Sequence, residues 1–200
     1  MRLVGKTLVF LLVSVLLASC GLRTDEAGLK LYQEGRYQDA IDYFDKFLVD
    51  RPEDANAYYN RGRSYEELGD LENAEADFKK AVMFEPKEPL FKMSLGICQF
   101  KQKNYSYTVG SMEQILKAND RDINAYILKG RAHSHIGEIE QAIEAFDAAV
   151  RIDGQNGEAY LHRGRILAVA DASMEGGKDL KTAKNLGVKG AEEFIARLCK

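Results

Sequence analysis

Hydrophobic and polar positions recur along this chain with a period of 34 residues. Gly28, Gly62, Gly96, Gly130 and Gly164 stand 34 apart. Ala40, Ala74 and Ala142 keep the same interval, with Thr108 and Gly176 in their column. Phe44, Phe78 and Phe146 form a further column, completed by Met112 and Leu180, and Tyr58, Tyr126 and Tyr160 form another. Alanine and phenylalanine four apart share one face of a helix, so each unit has a helix with a buried stripe. A small residue in the helix before it lets the two backbones approach. Gly35, Gly69 and Gly137 mark a turn inside three units, and Pro52 and Pro86 close the first two. One such helix pair cannot bury its apolar face alone, whereas five stacked pairs make a continuous core.

The units run 21–54, 55–88, 89–122, 123–156 and 157–190. Thr24, followed by Asp25 and Glu26, reads as an oxygen cap with acids in the first turn. That leaves residues 21–23 as a short tether. The third unit departs most, with Thr108, Met112 and Asp120 in the alanine, phenylalanine and proline columns, and lower stability is expected there. Asp171-Ala172-Ser173 occupies the place of the turn in the last unit. Residues 191–200 put Phe194, Ile195 and Leu198 on one face, as a helix capping the stack.

The columns resemble the tetratricopeptide repeat, a helix–turn–helix of 34 residues. Tyr58, Gly62, Tyr65, Gly69, Ala74, Phe78, Ala81 and Pro86 carry the resemblance in the second unit, and it extends over residues 21–190. It implies an all-α, right-handed superhelical solenoid of about five units with a C-terminal cap. It also implies a concave face lined by the first helix of each pair. Mapped onto this chain, that face takes Tyr59, Met93, Ile127 and Leu161 from one column and Arg63, Ile97, Arg131 and Arg165 from another. Glu66, Phe100, Ser134 and Ala168 form a third. An apolar stripe beside three arginines suits a peptide with apolar anchors and carboxylates, because guanidinium pairs with carboxylate in a forked geometry. The apolar stripe is not needed to bury the core between helices. The same side chains also have a plainer reading, with Glu66 neutralising Arg63 one turn away and the apolar positions packing across units. The family's clamp for a chaperone's C-terminal carboxylate is not matched. Asn60 holds one of its positions, but Asp25 and Leu29 on one side and Met93 and Ile97 on the other replace the required lysine, asparagine and arginine.

The start of the chain carries a different signal. Arg2 and Lys6 precede an apolar run from Leu8 to Leu17 broken only by Ser14. About ten apolar residues suit the core of a signal peptide and are too few to span ~30 Å of hydrocarbon as a helix. Leu17-Ala18-Ser19-Cys20 resembles the lipobox of bacterial lipoproteins. The resemblance implies cleavage after residue 19, acylation of Cys20, and a protein anchored to the cell envelope by palmitate-type chains. Gly21, in place of the aspartate that retains enteric lipoproteins at the inner membrane, points to the outer membrane.

Composition narrows the remaining classes. The 200 residues are 46% hydrophobic and 30% charged with a net charge of -3, which fits a soluble core and disfavours nucleic acid as a partner. Loss of residues 1–19 would remove Arg2 and Lys6, leaving 26 basic against 31 acidic residues and a net of -5. The lipid, not charge, would then do the anchoring. Cys20, Cys98 and Cys199 are too far apart for a disulfide framework, and Cys98 reads as a small core residue. His133 and His135, two apart, diverge on a helix and do not share a metal, His133 falling in a packed column. His162 reaches the groove edge. No glycine-rich phosphate loop, HExxH or GxSxG is present, so the chain is read as a non-enzyme without a cofactor or small-molecule substrate. The leading expectation is an adaptor that holds a protein or peptide partner in its groove. The alternative is a structural subunit of an envelope assembly, of the pilus, secretin or outer-membrane biogenesis type. It would use the convex face or the solenoid ends to associate.

Overall fold

The computed structural model describes residues 26–170 and 174–198. The signal peptide, Cys20, the Thr24 cap, the Asp171-Ala172-Ser173 turn and Cys199 lie outside the described residues, as does the Leu198 side chain. Eleven α-helices and no strands occur among the described residues. They fall into pairs: α1 (Glu26–Gln33) with α2 (Tyr37–Asp50), α3 (Ala55–Glu67) with α4 (Leu71–Phe84), and α5 (Pro89–Lys101) with α6 (Tyr105–Ala118). Next come α7 (Ile123–Ile136) with α8 (Ile139–Ile152), then α9 (Gly157–Ala170) with α10 (Met174–Asn185), and α11 (Ala191–Leu198) closes the chain. Successive helices pack on one another and the chain forms a solenoid of helix–turn–helix repeats.

The 34-residue period has a steric cause. Each column glycine faces the residue sixteen positions on. A Cβ at Gly130 would sit 2.8 Å from the Phe146 ring and 3.1 Å from the Ala142 carbonyl oxygen, and one at Gly62 would lie 3.0 Å from the Phe78 ring. Phe44, Phe78, Met112, Phe146 and Leu180 are correspondingly buried. In the last pair even the alanine column is glycine, and a Cβ at Gly176 would meet the backbone nitrogen of Ala168 at 2.5 Å. The chain thus trades side-chain volume for close helix contact within every pair.

Start signals recur in register. Asp54 accepts from the Ala57 N–H at 2.8 Å, Asp122 from Ala125 at 2.9 Å and Asn156 from Ala159 at 3.0 Å, each satisfying a free donor of the first turn. Glu88 caps α5 with Pro89 in its first turn. The inner turns need a left-handed residue. Gly35, Gly69 and Gly137 supply it with φ of 75°, 80° and 84°, but in the third pair the position is Lys103, at φ 64°. A side chain there is strained by roughly 1 kcal/mol.

A second device ties neighbouring pairs together. Arg61 bonds Asp77 of its own pair through Nε and Nη2, both at 2.7 Å, and Asp45 of the preceding pair at 2.6 Å. Arg163 repeats the arrangement with Asp179 and Asp147. Burial weighs against the Arg61 charge, yet its two carboxylates outweigh that and raise its pKa, and Arg163 is held charged in the same way. Lys129 keeps half of the pattern with Glu113, and in the third pair the position is Leu95. There, Gln99 accepts from Ser111 at 2.8 Å instead, and Gln102 donates to Glu75 at 2.8 Å.

Candidate partner-binding groove

The residues expected to line the concave face divide into two groups. Ile127 and Leu161 are buried, at 6% and 9% exposure. Ile127 packs with Ala142, Phe146 and Ala159, and Leu161 with Ala168, Leu180 and Ala183. The expectation that the apolar stripe stands apart from the core therefore fails at these two positions. Ile127 fills the junction with the following pair and Leu161 the space between the last pair and α11, where burial stabilises each by about 1.5–3 kcal/mol. Met93 is likewise half-buried against the cluster of Met112, Ile115 and Leu128.

The N-terminal part of the face is saturated by its own contacts. Tyr59 packs against Phe91 and Phe78, with centroids 4.9 and 5.9 Å away. Arg63 lies over Tyr32 at 4.2 Å and over Tyr59 at 5.7 Å. Glu66 does not neutralise Arg63 but pairs with Lys101 at 2.9 Å. The Tyr32 hydroxyl donates to Glu67 at 3.1 Å. Ile97 is the exposed apolar residue of this stretch, at 38%.

The C-terminal part differs. Arg131, Arg165 and Arg197 line one depression of about 630 Å³ together with Ser134, His135, Phe146 and His162, walled by Ile166, Val169 and Phe194. Arg131 stands over Phe100 at 4.6 Å and Arg165 over Phe194 at 4.2 Å. Among the described residues no carboxylate lies within ion-pair distance of any of the three arginines. On the floor, the His162 ring stacks on Phe146, 5.5 Å between centroids and 15° from parallel. Burial first, then the charges of Arg131 and Arg165, push its pKa down to about 4, so the ring is neutral at neutral pH. At the rim His135 stacks on Tyr105 at 4.4 Å, and Phe100 meets both edge-on.

Of the expected residues, then, Arg131 and Arg165 come together, with Phe100 beside Arg131, while Arg63 and Tyr59 pack on each other apart from them and Met93 lies in the core cluster that Phe100 also flanks. Phe194 and Arg197 were not expected here, because the terminal helix was read only as a cap. Their spacing of three puts both on one helix face, and that was the available signal. His133 and His135 do diverge: His133 is buried and bonds Glu138 through Nδ1, while His135 is exposed. Cys98 is fully buried, its Sγ donates to the Leu71 carbonyl at 3.3 Å, and burial pushes its thiol pKa up to about 11. Such a thiol is unreactive.

Comparison with known proteins matches this geometry. Residues 26–89 and 123–156 each match a model described as tetratricopeptide repeat. Human Tetratricopeptide repeat protein 16 is 22% identical over 59% of this chain, and soybean Hsp70-Hsp90 organizing protein 1 is 26% identical over 64%. The chain spans only 14% and 21% of the length of those relatives. Among solved structures, MamA from Desulfovibrio magneticus superposes with a TM-score of 0.75 at 22% identity, covering 80% of this chain and 91% of that one. YrrB, described as a TPR protein with an unusual peptide-binding site, superposes with a TM-score of 0.73 at 19% identity, covering 85% and 88%. The chain carries tetratricopeptide repeats and folds as a solenoid of them.

Proposed function

We propose that this chain is a lipid-anchored adaptor of the bacterial cell envelope that holds a protein or peptide partner in its concave groove. The observation that carries the groove reading is the contrast between arginines that pair with carboxylates and arginines that, among the described residues, have none within reach. Arg61 and Arg163 hold repeats together with two carboxylates each, whereas Arg131, Arg165 and Arg197 present guanidinium groups to an open depression. Fork-shaped donors beside apolar walls are what peptide recognition uses. The peptide-binding site named for YrrB and the organizing role named for the soybean relative agree with it by analogy. Anchoring rests on Leu17-Ala18-Ser19-Cys20 and the apolar run before it. More than one acyl chain on Cys20 gives stable attachment where a single one would be marginal, and Gly21 favours the outer membrane.

Crosslinked capture from intact envelopes tests the groove. A partner held by the wild type and lost from a still-helical R63E/R131E/R165E variant supports it, and equal capture by both overturns it. Metabolic palmitate labelling tests the anchor: label on the wild type and none on Cys20→Ser, with release of that variant from membranes, is the expected result.

A second reading, a self-associating structural subunit, draws on Val49 and Met83. These stand 34 apart on successive second helices and are 79% and 56% exposed. If they form a contact between copies, Val49→Lys with Met83→Lys lowers the mass seen by light scattering and leaves partner capture unchanged.

A further inference from the structure

The C-terminal depression specifies its occupant more closely than the general groove reading, on which this inference rests. We infer that it binds an extended peptide carrying carboxylates beside an aromatic or large aliphatic side chain, and that the terminal helix α11 is part of this site as well as a cap. Three features converge. Arg131, Arg165 and Arg197 come from three different helices, α7, α9 and α11, and point into one depression. Among the described residues the three positive charges have no acidic partner and repel one another, and a chain with a net charge of -3 has carboxylates to spare elsewhere. Even Glu193, one turn before Arg197 on α11, forms no ion pair with it. The cluster therefore has charge complementarity for an anion that these helices do not supply.

The second feature is the apolar surface between the arginines. Val169 is 73% exposed at the depression, and Phe194 offers its ring under Arg165. An inorganic anion would use the arginines and leave this wall wet, whereas a peptide side chain covers it. The third feature is the neutral His162 floor stacked on Phe146. It adds no charge of its own and gives a flat, uncharged bottom on which an aromatic ring can rest. The N-terminal stretch of this chain is a poor occupant by charge. Between Met1 and Arg23 it contains Arg2, Lys6 and Arg23 and no acid.

The experiment is a selection from a randomised peptide display library on the full chain, followed by fluorescence anisotropy with the enriched peptides. Enrichment of aspartate or glutamate next to phenylalanine, tyrosine or leucine is expected. Affinity should fall at least tenfold with Arg165→Gln and with Arg197→Gln, both exposed positions whose change leaves the helical spectrum intact. It should weaken with added salt, and Arg63→Gln should leave it unchanged. Enrichment of neutral or basic peptides, no enrichment at all, or acidic peptides indifferent to both substitutions overturns the inference. Peptides that lose affinity with Arg63→Gln and not with Arg165→Gln overturn it while leaving the general groove reading standing. Peptides indifferent to every groove substitution overturn both.

Discussion

The two ends of the groove use arginine in opposite ways. At the N-terminal end Arg63 is sandwiched over Tyr32 and Tyr59, and the nearby carboxylate of Glu66 is taken by Lys101. At the C-terminal end Arg131 and Arg165, in the same column of the repeat, meet only one ring face each and share their depression with Arg197. Identical residues at identical repeat positions thus differ in what they have left to offer. The difference lies in the neighbouring repeat, which a single column does not show. A solenoid of nearest-neighbour contacts permits this, because each junction is packed on its own.

The largest expected effect comes from setting a stapling arginine beside a groove arginine. Arg163→Ala strips the buried Asp179 of its partner and should lower the free energy of unfolding by about 2–4 kcal/mol. Two residues on, Arg165→Ala should cost less than about 0.5 kcal/mol, since it removes an exposed ring contact. Urea titration of both variants measures the contrast, and equal losses would abolish the distinction between the two kinds of arginine.

His162 comes next, since the N-terminal half has Asn60 in its column. A ring with a folded pKa near 4 and an unfolded value near 6.5 binds fewer protons when folded. Stability is therefore complete above the unfolded value and falls as pH drops from about 6.5 towards 4, by up to about 3 kcal/mol at the bottom of that window. His162→Phe should flatten this slope in melts recorded across the window. An unchanged slope would mean that the ring is not buried against Arg131 and Arg165.

Glycine substitutions separate close approach from ordinary helix propensity. Gly130→Ala drives a Cβ against the Phe146 ring and the Ala142 carbonyl, and should cost about 1–3 kcal/mol. Gly110→Ala, in the helical α6 with nothing within 4 Å, should instead stabilise by about 0.5–1 kcal/mol. A comparably small effect lies in the third unit. Lys103→Gly relieves a left-handed side chain and should gain up to about 1 kcal/mol, read as a small rise in Tm.

Much of the fold was legible because its cause is local and repeated. Gly28, Gly62, Gly96 and Gly130 keep their interval because each faces a large side chain sixteen residues on, and Gly164 because the backbone of the partner helix comes as close. The site was legible only in part. Arg131 and Arg165 could be placed by column, but Ile127 and Leu161 belong to the core, and Tyr59 and Met93 of the same column also pack against buried clusters. The staples are a spacing of sixteen on either side of Arg61 and Arg163, which the 34-residue columns do not display. Phe194 and Arg197 were missed because α11 lies outside the repeat and has no column to be read against.

The most direct test of the central claim is site-specific photocrosslinking in intact cells. A photoreactive amino acid is placed singly at Val169, in the C-terminal depression, and at Val49, on a second helix, both well exposed. The account predicts a crosslinked partner from position 169 that disappears when Arg165→Gln is added, and none of that partner from position 49. A partner captured from position 49 and absent from position 169 would contradict it.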